Sequence, residues 1–527
     1  MVRLRRRRFL SGLAASGGLS AAPILWPRPV SAGIGGKPSQ RPTVLRVVER
    51  PLVVNGVSAE VLRLEQPDGS WGLTLEKGKR FDVLVENLTS EPTSIHWHGL
   101  ILPWRQDGVA YVTQPAIPPG GRYRYSFPIL QAGTYWMHSH YGLQEQRLLA
   151  APLILSDPRE AQQGMREAVM FLSDWSNRSP LDIWRGLKKG GRMGGMSGMG
   201  GAMPGHGAMG GMAGMPQHGG HGTGGMPGMP GMPAMAPGGV DLNDVDYDAY
   251  LTNWRTLSDP EVVRVEPGST LRLRIINGAA ASNFIVSTGA VAAEVIATDG
   301  EPVVPLQANR FQMAIAQRLD LRLTIPPGEG VYPILAQGEG TTKQTGLVLA
   351  TPKASPSPIA EVAGAPAPAL DYAQERLLKA SAPLARRTVD RSITVGLDGD
   401  MMRYVWSING ETWPRVTPLR VKHGERIELV FDNKTAMAHP MHLHGHVFEV
   451  TELGGSPVSG PKRDTVLVLP RSTAKVQFDA DNPGIWMIHC HVLYHLLAGM
   501  MTTLNYEGVA PLFSVEDQLA SHEIPEN

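Results

Sequence analysis

The sequence predicts an all-β protein of three successive β-sandwich units, and three observations carry that expectation. Short runs rich in Val, Thr and Leu recur along the chain, punctuated by Pro-Gly and Asn-Gly turn pairs. Several of them alternate apolar and polar residues, as a strand with one buried face does. A turn followed by such a strand also recurs at domain spacing. Glu76-Lys77-Gly78 precedes one at 80–85, Glu266-Pro267-Gly268 one at 271–276, and Lys422-His423-Gly424 one at 426–431. A chain of 527 residues has the length for about three domains with cores of their own.

The first unit is expected over 43–158, with alternating strands at 80–85 and 123–127. The second is expected over 165–351, including a strand at 271–276 that ends in the Asn277-Gly278 turn pair. Residues 352–391 read as a linker, since 354–369 is rich in Pro and Ala, and the third unit follows over 392–527. One segment breaks the pattern. Residues 190–239 consist almost wholly of Gly, Met, Pro, Ala and His, cannot bury a core, and are expected to form a disordered insert within the second unit. Strand-like sequence is expected to resume near Val263.

The amino terminus reads as an export signal. Residues 1–32 hold six arginines and no acid; Arg6-Arg7-Arg8-Phe9-Leu10 resembles a twin-arginine motif, and a Gly-, Ala- and Ser-rich apolar stretch follows. Val30-Ser31-Ala32 fits a cleavage site. Removing those six arginines from a formal charge of +1 leaves −5, so nothing points to a nucleic-acid partner. No apolar run approaches the roughly 20 residues of a membrane span. A soluble periplasmic monomer is therefore expected. Its lone cysteine, Cys490, has no disulfide partner within the chain.

Of sixteen histidines, eleven fall in four short clusters: His96 and His98; His138 and His140; His439, His442, His444 and His446; His489, His491 and His495. In a strand, residues i and i+2 share a face while i+1 takes the other. Each His-x-His step thus offers two imidazoles side by side, spaced for one metal or two adjacent metals. Imidazole suits copper, zinc, iron and nickel alike, so these pairs leave the metal open. The last cluster narrows the choice. His489 and His491 share one face, and Cys490 takes the other with His495 and Met500 close by. A thiolate, two imidazoles and a weak thioether make a blue-copper site, and His439 can supply the second imidazole. Two sites then lie back to back, joined by a few covalent bonds.

With these four motifs in order, and Asp481-Asn482-Pro483-Gly484 ahead of the last, the chain resembles the multicopper oxidases, the family that includes laccases and bacterial cuprous oxidases. The resemblance implies three cupredoxin-like Greek-key β-sandwich domains and four copper ions. It makes His439, Cys490 and His495 ligands of a type 1 copper, with Met500 axial. His96 and His442 would bind the type 2 copper; His98, His138, His140, His444, His489 and His491 would bind the type 3 pair. The activity implied is one-electron oxidation of a substrate coupled to reduction of dioxygen to water. His446 shares the face of His442 and His444 but has no metal in the family pattern, and reads as a neighbour of the ligands or a solvent-facing residue.

Two features bear on proton supply. Asp107 matches the position of a family carboxylate near the type 2 copper, and fits equally well as a turn aspartate before Gly108. Many relatives also carry a glutamate just after the His-Cys-His triplet. Here Val492, Leu493, Leu496 and Leu497 stand there, so that acid is absent or supplied from elsewhere.

The insert bears on the substrate. Met193, Met196, Met199, Met203, Met209, Met212, Met215, Met226, Met229, Met232 and Met235 recur every few residues, with His206, His218 and His221 among them. Thioethers are soft ligands that select Cu(I), so a segment of this kind could capture Cu(I). Together with the twin-arginine signal it resembles the copper-resistance (protein A type) oxidases, which points to oxidation of Cu(I). A laccase-like oxidase of phenols or aromatic amines is the alternative, and a wide apolar pocket near His495 would favour it. A copper-sequestering protein is the alternative of another class.

Overall fold

The computed structural model describes residues 41–161, 164–189 and 242–522. The amino-terminal 1–32 and every methionine of the 190–239 segment lie outside them. The described residues form three cupredoxin-like domains, each built from two sheets.

The turn-and-strand repeat seen in the sequence corresponds to a repeat of topology. In each domain the first long strand pairs in parallel with the strand that follows the turn. Thr43–Val54 pairs with Arg80–Asn87, Arg166–Trp175 with Thr270–Asn277, and Arg391–Asp400 with Arg426–Asn433. A short strand just before the turn pairs in parallel with the last strand of the opposite sheet: Leu73–Glu76 with Ala150–Ser156, Val262–Arg264 with Gln344–Ala350, Leu419–Val421 with Met501–Tyr506. The turn therefore carries the chain from one sheet to the other. Burial follows the sequence alternation. In Arg80–Asn87 every second residue is buried; Phe81 and Val83 lie beside Phe127 and Tyr125 of the paired strand Arg122–Pro128, and this face packs on Trp97 of the opposite sheet. Phe81 meets Trp97 edge to face, with ring centroids 4.7 Å apart.

Two features of the connections add to the sequence reading. Residues 352–391 join the second and third domains and are docked rather than free. Ala363 N–H donates to Thr342 O, Ala367 N–H to Thr341 O and Leu370 N–H to the Glu339 carboxylate, while Leu469 N–H in the third domain donates to Tyr372 Oη. Proline only removes its own donor, and the donors between prolines still find acceptors along the second domain. The chain also rejoins the second domain earlier than expected, at strand Ala249–Thr252, which pairs antiparallel with the end of Arg166–Trp175. Buried Tyr247 and Tyr250 anchor that return, and a four-residue strand is too short to show alternation. No helix among the described residues is long and apolar enough to cross a membrane.

Candidate metal centre

The eight histidines of the His-x-His pairs sit on, or one residue beyond, strands of the first and third domains that face each other, while His495 lies in the short helix Leu493–Leu497. His96 and His98 lie in strand Ile95–His98, where His96 pairs with His138 of Gly133–Ser139. In the third domain His442 of His439–Leu443 pairs with His489 of Ile485–Cys490. His140, His444 and His491 fall just past the ends of these strands. The two-residue step keeps each pair on one side: ring centroids are 5.8 Å apart for His96 and His98, 6.1 Å for His138 and His140, 4.7 Å for His442 and His444, and 5.4 Å for His489 and His491.

The domains bring their pairs together face to face. His96 stacks on His444 at 3.9 Å and His98 on His442 at 3.8 Å. His140, His444 and His489 converge as one trio, with Nε2 of His444 and His489 only 2.9 Å apart. His98, His138 and His491 converge as another, their centroids 5.0–5.7 Å apart. His96 and His442 remain between them, centroids 5.9 Å apart.

On the opposite face of the same strand lies Cys490. Its Sγ is 3.6 Å from His439 Nδ1 and 3.6 Å from His495 Nδ1, and the two nitrogens are 3.2 Å apart. A point equidistant from these three atoms is about 2 Å from each, the length of a metal–nitrogen bond. Met500 is fully buried beside them: its N–H donates to His495 O, and its carbonyl accepts from Cys490 N–H.

The electrostatics favour metal ligation. Burial first, and repulsion by neighbouring imidazoles second, hold His98, His140, His442 and His491 well below the usual histidine range. Burial likewise lowers His439 and takes His489 down to about 4. Neutral imidazole is the form that binds a metal. Burial also pushes the Cys490 thiol far up, so only a bound cation would make it a thiolate. The buried atoms His96 Nε2, His98 Nδ1, His138 Nε2, His140 Nε2, His442 Nε2 and His491 Nε2 have no hydrogen-bond partner. Six orphaned nitrogens in one core are costly unless something electrophilic faces them. Together with a separate thiol, two imidazoles and a methionine, this donor set fits copper.

The opposite ring nitrogens are tied down. His96 Nδ1 donates to Asp107 O (2.9 Å), His442 Nδ1 to Asp464 O (2.9 Å), and His439 Nε2 pairs with Thr435 Oγ1 (2.8 Å). Such partners fix the tautomer and aim the free nitrogen. Asp107 is fully buried, and its Oδ2 accepts from His444 Nδ1 at 2.8 Å. Gly108 makes its turn possible: φ is +85°, and a Cβ there would sit 1.8 Å from Ile95 O. Gly108→Ala is therefore expected to displace Asp107 and the adjoining Ile95–His98 strand. A copper content and melting temperature matching the unsubstituted protein would contradict this.

Sequence reasoning missed several residues. Glu145 is buried, with Oε2 2.9 Å from His138 Nδ1 and Oε1 3.9 Å from His491 Nδ1. It places a carboxyl beside the trio next to the leucines that follow the triplet, although it comes from the first domain. Glu145→Leu is expected to slow oxygen uptake about ten- to a hundredfold with the blue absorption intact; unchanged uptake would leave Glu145 a packing residue. Asp244, whose side chain is 1% exposed, has Oδ2 2.8 Å from His495 Nε2 and accepts a hydrogen bond from Tyr404 Oη. His446 is not solvent-facing. It is buried, hydrogen-bonded to Tyr506 Oη at 2.7 Å and to His444 O at 3.0 Å.

A three-domain cupredoxin fold with a thiolate-type metal site back to back with an eight-histidine cluster defines a copper redox protein. Comparison with known proteins makes the class specific. Multicopper oxidase family models match residues 71–160, 166–354 and 386–508. The chain is 32% identical over 514 residues to the multicopper oxidase MmcO of Mycobacterium tuberculosis, covering 93% of this chain and 88% of that one. It is 27% identical over 629 residues to copper resistance protein A of Escherichia coli, covering 96% and 100%. The chain belongs to the multicopper oxidases, copper-dependent oxidoreductases that couple a reduced substrate to oxygen. Solved structures of similar fold include Fet3p, a multicopper oxidase that functions in iron import (TM-score 0.70, 19% identity, 91% and 93% covered), and the laccase from Botrytis aclada (TM-score 0.67, 22% identity, 92% and 90% covered).

Proposed function

We propose that this protein oxidises Cu(I) to Cu(II) with dioxygen as the final acceptor, in the service of copper tolerance. The observation that carries the reading is Asp244. It stands nine residues after Met235, the last methionine of the Met-rich segment, and its carboxylate touches His495. The described chain that follows the Met-rich segment in sequence thus reaches the edge of the proposed donor-side copper site at Asp244. The hollow beside it sets Asp244, Glu339, Asn283 and the Met437 thioether among five apolar residues, and those two carboxylates and the soft sulfur support a small cation as the donor.

In this reading His439, Cys490, His495 and Met500 would hold the type 1 copper, and His96 with His442 the type 2. His98, His138 and His491 would hold one type 3 copper; His140, His444 and His489 would hold the other. Four coppers so held would pass electrons singly from donor to dioxygen, which takes up four electrons and four protons to give two waters. Asp244 orients His495 and attracts the cationic donor. Trp406, its ring 4.0 Å from that of His495, walls the ring off from water. Residues 1–32 would direct the protein to the periplasm through twin-arginine export.

Oxygen uptake by the copper-loaded protein tests the proposal when Cu(I) and a phenol are compared side by side. Faster uptake with Cu(I) is expected; faster uptake with the phenol would favour the laccase-like alternative, and none with either would favour sequestration. Deleting residues 190–239 is expected to impair Cu(I) oxidation more than phenol oxidation. Equal effects would remove the insert from the donor path.

A further inference from the structure

Among the eight clustered imidazoles, one is inverted. Five leave a buried Nε2 without a partner, and His444 and His489 turn Nε2 toward each other; His98 alone leaves Nδ1 free. Asp464 accounts for the inversion. Its Oδ1 accepts from His98 Nε2 at 3.1 Å, leaving Nδ1 to face the cluster, and its backbone carbonyl accepts from His442 Nδ1 at 2.9 Å. One residue thus sets the tautomer of two candidate ligands.

Asp464 is itself held by a residue of the second domain, which supplies no candidate ligand. Arg318 donates from Nη1 to Asp464 Oδ1 (2.8 Å) and from Nη2 to Oδ2 (2.5 Å), a two-pronged grip. Its other donors reach Thr134 O in the first domain (3.1 Å), and Ala316 O (3.1 Å) and Asp299 O (3.0 Å) in the second. The side chain is wholly buried, so this guanidinium joins three domains. Gly99, beside His98, leaves the room. Its φ is +86°, and a Cβ there would lie 2.5 Å from Arg318 Nη2 and 2.6 Å from Asp464 Oδ2.

We infer that Arg318 is a positioning residue for oxygen reduction: by clamping Asp464 it fixes the rings of His98 and His442, and so enlists the ligand-free second domain in the geometry of the oxygen site. The inference rests on the copper assignment proposed above. Its test compares copper-loaded wild type, Arg318→Lys, Asp464→Asn and Arg463→Lys. Arg463 is the control, being equally buried and bonded to Asp299 and Glu375 but making no ion pair with Asp464. The readouts are the electron paramagnetic resonance signal of type 2 copper, copper per chain, blue absorption and oxygen uptake. Arg318→Lys keeps the charge but loses the fork. It is expected to alter or abolish the type 2 signal and to lower oxygen uptake about ten- to a hundredfold, with blue absorption retained. Arg463→Lys is expected to keep the wild-type signal. An unchanged type 2 signal in Arg318→Lys would overturn the inference, and so would an equal change in Arg463→Lys, which would mean general loosening of a buried network. Should Arg318→Lys not fold, Asp464→Asn decides: it keeps an acceptor for His98 while dropping the charge that holds Arg318, and an unchanged type 2 signal there likewise overturns the clamp. A wild type with neither blue absorption nor a type 2 signal would instead reject the copper assignment.

Discussion

Cys490→Ser is expected to abolish the blue absorption and lower turnover about a thousandfold or more, a rise of ~4 kcal/mol in the barrier. The side chain is fully buried between His439 and His495, and its two chain neighbours face the other centre. A serine hydroxyl fills nearly the same volume, so the fold is expected to persist and the far histidines to keep their metal. What disappears is the soft thiolate and, with it, the short covalent path from the donor side to His489 and His491. Copper analysis and oxygen uptake on the same preparation check this. Wild-type turnover without the blue band would mean that electrons reach the oxygen side by another route.

Asp107→Ala is expected to lower oxygen uptake about ten- to a hundredfold, with the loss confined to the oxygen side. Asp107 binds His444 Nδ1 through its carboxylate and His96 Nδ1 through its carbonyl, so one residue orients imidazoles from both contributing domains. Alanine keeps the second bond and deletes the first, leaving His444 free to rotate. Stopped-flow measurements separate the steps: bleaching of the blue band by an anaerobic donor should keep its rate, while the return of colour on adding oxygen should slow. Slowed bleaching with normal recovery would contradict the assignment of Asp107 to the oxygen side.

Legibility from sequence followed the range of the interactions. The His-x-His steps were readable because a strand repeats every two residues, and the Cys490 face because the same alternation inverts it. The turns ending in Gly78, Gly268 and Gly424 marked the sheet crossings because each adopts a left-handed φ, +85°, +72° and +87°. The supporting residues were not readable. Strand Arg318–Thr324 alternates charged and apolar residues, which reads as a solvated face, yet Arg318 and Asp320 are buried. The first domain covers that face: Thr134 O accepts from Arg318 Nε, and Thr134 Oγ1 donates to Asp320. Glu145 and Asp244 likewise meet His138 and His495 from other elements, the second from the far side of a 52-residue stretch outside the described structure. Local periodicity carries no trace of such contacts. The docking of the linker along the second domain was invisible for a related reason, since proline content limits donors without preventing the remaining ones from docking.

The central claim is that donor oxidation on the Cys490 side drives oxygen reduction at the eight-histidine cluster. It is tested most directly by titrating the copper-loaded protein with Cu(I) without oxygen, following the blue band, and then admitting dioxygen while measuring its uptake and any hydrogen peroxide. The account predicts that Cu(I) bleaches the band, that oxygen restores it, and that Cu(I) and dioxygen are consumed in the ratio that full reduction to water requires. A band that Cu(I) leaves untouched, or recovery that releases hydrogen peroxide in proportion to the oxygen consumed, would contradict it.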